Sequence, residues 1–95
     1  MDATLLFHRK NIETNGDIVE MKMWQVPHSP DKVHGVKYSL VYVRDGKRII
    51  GYDNAEGRGD HRHIHQKEYR YHFIDVDTLV RDFLVDVDRL KRGEL

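Results

Sequence analysis

The stretch VKYSLVYVR-DG-KRIIGY, Val36 to Tyr52, decides the fold. Val36 to Arg44 is rich in β-branched and aromatic residues, which suit a pleated, half-buried strand. Asp45-Gly46 tolerates the positive φ angles that a tight hairpin turn requires. Lys47 to Tyr52 then returns as a second strand, so this stretch predicts an antiparallel hairpin.

Two more extended segments precede it, Thr4 to Arg9 and Ile18 to Val26. In the second, Val19, Met21 and Met23 alternate with Glu20, Lys22 and Trp24, the period of a strand with two unlike faces. Asn15-Gly16 lies between the two segments and predicts another turn. Pro27 and Pro30 break the pattern, because proline lacks a ladder donor and restricts the residue before it. Residues Pro27 to Gly35 therefore read as a loop.

Beyond the hairpin, Ala55 to Asp60 carries Gly57 and Gly59 and reads as a loop. His61 to Phe73 predicts one or two short strands, His61 to His65 and Tyr69 to Phe73. In the latter, Tyr69, Tyr71 and Phe73 share one face. The last segment is a helix: Val76, Leu79, Val80, Phe83, Leu84, Val87 and Leu90 form one apolar stripe. Asp75 is its expected N-cap, with Ile74 placed to staple against Leu79. Lys91 and Arg92 suit its C-terminal dipole, and Gly93 can end it. Asp77, Arg81, Asp82, Asp86, Asp88 and Arg89 form the expected solvated side.

The sum is a single α+β domain over residues 1–95. An antiparallel β-sheet of four to six strands packs on one C-terminal α-helix. The sheet's other face must then be polar or bind another chain.

Composition narrows the function. A chain of 95 residues suits one domain. It has no cysteine, which removes thiolate catalysis and Cys-ligated zinc and fits a reducing cytoplasm. No apolar run approaches the roughly 20 residues that span a bilayer. Met1-Asp2-Ala3-Thr4 has no basic region leading into an apolar one, so no signal peptide is expected. The formal net charge is zero, and no strong whole-molecule attraction to nucleic acid or lipid follows from it. Charge is uneven, however. Arg58 to His72 holds four Lys/Arg, two Asp/Glu and four His, whereas Asp75 to Asp88 holds five Asp and one Arg.

Two segments can carry chemistry. Tyr52-Asp53-Asn54 leaves a strand for a glycine-containing loop, a place where a rigid scaffold presents side chains to a ligand. Asp53 could act as base, metal ligand or orienter of a histidine, and Asn54 could donate to a carbonyl or phosphoryl oxygen. Both are equally at home in a turn. Asp60-His61-Arg62-His63-Ile64-His65 is the second. On a strand, His61, His63 and His65 share one face, and Arg62 and Ile64 the other. Three imidazoles could bind a divalent metal. Two could serve as general base and acid on a phosphodiester, with Arg58 or Arg62 holding phosphate. An exposed polar strand is the plain alternative. The aromatic residues, Trp24 included, read mainly as packing. Phosphate-binding loops, dinucleotide fingerprints, nucleophile elbows and helix-borne zinc motifs are all lacking.

The string Tyr52-Asp53-Asn54-Ala55, then Gly57, then Gly59-Asp60-His61-Arg62-His63, resembles the TumE-type family of small prokaryotic proteins. Asp17-Ile18-Val19-Glu20, Trp24-Gln25-Val26-Pro27, Lys37 to Val43 and Asp82 to Val87 extend the resemblance over nearly the whole chain. These proteins are regarded as toxins of toxin–antitoxin pairs. The resemblance implies a partner with a helix-turn-helix or winged-helix DNA-binding fold. Its Y-D-N-x-x-G-x-x-x-H-x-H pattern falls on Tyr52, Asp53, Asn54, Gly57, His61 and His63, and His65 stands outside it.

Three readings follow. In the first, the chain is a toxin-like ribonuclease needing no cofactor. His61 and His63 are then acid and base, Asp53 and Asn54 assist, and Tyr52, Arg58 and Arg62 bind RNA. In the second it is a non-catalytic module for a helix-turn-helix partner. In the third it is a hydrolase whose divalent metal is held by His61, His63 and Asp53, with His65 as a further candidate ligand. Homodimerisation through a sheet edge is compatible with each.

Overall fold

Alternating side chains and glycine-bearing turns shape most of this chain. The computed structural model describes residues 3–55 and 57–95. Met1 and Asp2, read above for a leader, and Glu56, in the predicted 55–60 loop, lie outside the described residues. The described residues form strands β1 (Thr4–Ile12), β2 (Ile18–Gln25), β3 (Val36–Arg44), β4 (Lys47–Asp53), β5 (His61–Ile64) and β6 (Lys67–Arg70), then helix α1 (Val76–Lys91). The sheet runs β1-β2-β3-β4-β5-β6, and every neighbouring pair is antiparallel. This is the predicted α+β architecture, with the sheet at the upper end of the predicted strand number.

The helix covers one face. Leu79, Phe83, Val87 and Leu90 pack on Met21, Met23, Tyr38, Leu40, Tyr42, Ile50, Tyr52 and Ile64. The sheet residues come from alternate positions, as the pleat demands. Asp75 caps the helix: its carboxylate accepts from the Thr78 N–H at 2.7 Å. Asp45 and Gly46 both have positive φ, 53° and 73°, as a two-residue hairpin turn requires.

Several local expectations are corrected. β1 runs on to Ile12, because it pairs with β2 as far as Ile18. The second C-terminal strand is Lys67–Arg70, and Tyr71 and Phe73 lie beyond it. The cause is a two-residue turn at His65-Gln66, which brings the chain back early. His65 sits in that turn with φ 54° and not on β5. Leu84, assigned to the apolar stripe, is exposed, and so is Ile74, which makes no staple. Asp86, assigned to the solvated side, is buried.

Candidate active site

The site lies on the sheet face away from the helix. Tyr52 and Ile50 turn toward α1, so Gly51 and Asp53 turn away. Register carries this across the sheet. Asp53 pairs with His61 and Gly51 with His63, and His61 then pairs with Arg70 and His63 with Glu68. Residues directly opposite share a face, so Asp53, His61, His63 and Glu68 project together.

Arg48 reaches the same face through a β-bulge. Pairing steps from Tyr42–Ile50 to Val43–Arg48, leaving Ile49 as the extra residue. Strict alternation would send Arg48 toward the helix, and the bulge turns it the other way. Its side chain then crosses Gly51. A Cβ built on Gly51 would lie 2.8 Å from Arg48 Cδ. A side chain here would push Arg48 aside, and the guanidinium ends 4.0 Å from Asp53.

The two imidazoles have ring centroids 6.4 Å apart. His61 Nδ1 is 3.1 Å from the Gly59 carbonyl, which can only accept. That bond places the proton on Nδ1 and leaves the Nε2 lone pair bare in the neutral ring. His63 Nε2 is 3.1 Å from Asp53 Oδ2, which orients the ring. Its Nδ1 points to Glu68. The His61 and His63 side chains are 15% and 9% exposed, so each shows only an edge to solvent.

Glu68 is the centre of the arrangement. Arg58 Nη2 donates to both of its oxygens, at 2.6 and 2.8 Å. One oxygen lies 3.7 Å from His63 Nδ1 and the other 3.7 Å from His61 Nε2. The Arg58 bonds hold the Glu68 carboxyl below its ordinary range against the opposing effect of burial, and the histidine charges act in the same direction as Arg58.

The other residues singled out in the sequence lie elsewhere. Tyr52 and Arg62 face the helix: Arg62 Nε and Nη2 donate to Asp86 at 2.7 and 2.9 Å, and the Tyr52 hydroxyl donates to the same carboxylate at 2.5 Å. Burial and the bond to Asp86 push the Tyr52 phenol well up, and Asp86 does the same to Arg62. Asn54 is also buried. Its Oδ1 accepts from Tyr38 N at 3.0 Å and its Nδ2 donates to the Val36 carbonyl at 2.7 Å. The amide thus continues the β3–β4 pairing where β4 has ended. His65 is in the turn, away from the other two histidines. Among the described residues no group of three His, Asp or Glu side chains is arranged to hold a metal ion.

Neither Glu68 nor Arg48 stands out in the sequence. Glu68 becomes legible once the turn is placed at His65-Gln66, because it then falls opposite His63. The bulge that re-aims Arg48 leaves no local signal. His34, given no role above, braces the entry to β5: it stacks on Phe73 with centroids 3.9 Å apart, and its Nε2 lies 3.3 Å from Asp60. Tyr38 donates to the same carboxylate at 2.6 Å, so Asp60, directly before His61, is held from two sides.

Comparison with known proteins adds one finding. The family model described as Toxin TumE matches residues 2–91. No curated protein and no solved structure matches the chain. Among the described residues no helix is long and apolar enough to cross a membrane.

Proposed function

Because this chain belongs to the TumE toxin family, we propose that it acts as a ribonuclease toxin whose chemistry is performed by His61 and His63. The observation that supports this reading is the Glu68 carboxylate. The Arg58 guanidinium and the ring edges of His61 and His63, which favour an anion when protonated, converge on it. A phosphodiester likewise presents two oxygens that share one negative charge, and Arg binds either group.

The mechanism follows from the proton positions. RNA enters as its phosphate takes the place of the Glu68 carboxylate. His61 Nε2 accepts the proton of the 2′-hydroxyl as general base. The O2′–P bond forms and the P–O5′ bond breaks. Protonated His63 delivers the Nδ1 proton to the leaving O5′, while Asp53 fixes its Nε2 side. Arg58, released from Glu68, stabilises the charge on the non-bridging oxygens. The products are a 2′,3′-cyclic phosphate and a 5′-hydroxyl, with both protons accounted for.

The test compares induced expression of the wild type with the double variant His61→Ala, His63→Ala in a bacterial host. The expected result is growth arrest and RNA cleavage by the wild type alone, with cyclic-phosphate ends on the fragments. Cleavage by the folded double variant would remove the histidines from the reaction. An intact RNA pool in cells arrested by the wild type would remove RNA as the target.

A further inference from the structure

Trp24 lies on the same open face as the histidines. Its neighbour Met23 is buried under the helix, so Trp24 and Lys22 turn to the other side. Across the sheet, Lys22 pairs with Ser39, Ser39 with Asp53, and Asp53 with His61. That row spans three strand spacings, roughly 14 Å. Trp24 is two residues along β2 from Lys22, roughly 7 Å along the strand and at right angles to that row, and pairs with Lys37. An open groove joins Trp24, Lys22 and Lys37 to Asp53, Arg58 and His63.

Trp24 is half-buried, and no aromatic ring stacks on it among the described residues. An indole beside lysines, in a groove that leads to a phosphate-like site, suits one ligand chemistry. Single-stranded nucleic acid presents the face of a base to an aromatic ring and its phosphates to the cations. A duplex hides its base faces, so it does not fit.

We infer that this groove binds single-stranded RNA running across the strands, with a base stacked on Trp24 and a phosphate held by Lys22. The inference takes its substrate from the ribonuclease reading and names the residues that grip the strand outside the reacting bond. Lys22 is well placed for the second role: among the described residues its ion-pair partner, Glu20, is 3.8 Å away, and its side chain is 41% exposed.

The test uses the full chain and a single-stranded 2′-O-methyl oligoribonucleotide, which has no free 2′-hydroxyl and cannot be cleaved by the proposed route. Trp24 is the only tryptophan, so its emission reports stacking without any substitution. The single strand is expected to quench it, and the same sequence in a duplex to leave it unchanged. Trp24→Ala should weaken binding, followed by anisotropy of a labelled strand, roughly 5- to 150-fold. Trp24→Phe should recover part of the loss. Lys22→Ala should lower the slope of log affinity against log salt by about 0.7. Binding with unchanged Trp24 emission, or equal affinity in folded Trp24→Ala, would overturn the stacking role. No binding at low salt would overturn the groove as an RNA site. Neither result touches the histidine test, which is read on cleavage.

Discussion

At the scale of single residues, Gly51 shows how a space can matter more than a side chain. Its φ is not in the left-handed region, so the backbone would accept any residue. The obstacle is Arg48, which lies across it. Gly51→Ala should leave folding stability within about 1 kcal/mol, because alanine restricts the unfolded chain and Arg48 is flexible enough to move. It should still reduce RNA cleavage by displacing the guanidinium beside Asp53. Urea denaturation checks the first expectation and an initial-rate assay the second. Unchanged cleavage would show that Arg48's place over Gly51 is incidental. Asn54 and Arg62 teach a related lesson. Both residue types suit chemistry, and both serve the architecture here. For Arg62 the period of two already separates it from His61 and His63. For Asn54 nothing local signals that its amide will extend a strand pairing.

At the scale of elements, the helix is bound to the sheet by a polar clamp as well as by its apolar stripe. Asp86 is 4% exposed and takes bonds from Arg62 on β5 and Tyr52 on β4. Removing one partner of such a group leaves a buried charge without compensation. Arg62→Ala should therefore destabilise the fold by about 3 kcal/mol, toward the low end of that class because Arg62 is partly exposed. The measurement is the urea midpoint. A loss below about 0.5 kcal/mol would mean that water replaces the guanidinium freely. The apolar stripe itself was readable from spacing alone, since Leu79, Phe83, Val87 and Leu90 recur at helical intervals. Asp86 was not, because its burial depends on which strand residues lie beneath it. The hairpins divide in the same way. Asp45-Gly46 declares its turn through residue type. His65-Gln66 does not, and the strand after it begins earlier than its aromatic residues suggest.

For the molecule as a whole, the zero net charge hides opposed local fields. The open face gathers Lys22, Lys37, Arg48 and Arg58 around Asp53 and Glu68. The segment from Asp75 to Asp88, on the other side, carries five aspartates. Global stability should also respond to acid. Tyr42 and Arg44 bond to Asp17, and these bonds, opposed by desolvation, hold its carboxyl below its ordinary value of 3.8. A depressed folded-state value means that the stabilisation is present above the unfolded value and is lost as pH falls through the folded one. The wild type should therefore lose stability as the pH drops below about 4. Asp17→Asn should be weaker at pH 7 and lose less between pH 7 and pH 3. Equal losses in the two proteins would assign the acid sensitivity to other carboxylates.

Glu68 has one more consequence, concerning which anions can compete for the histidines. Its carboxylate is tethered to the same chain as Arg58, so it occupies the position at a high effective concentration that no dilution lowers. A lone inorganic phosphate must overcome that tether with the contacts of this one position. A polymer that grips the face at several points can spread the cost of eviction over all of them. On the ribonuclease reading, the tethered carboxylate therefore favours a multivalent chain over a small ion.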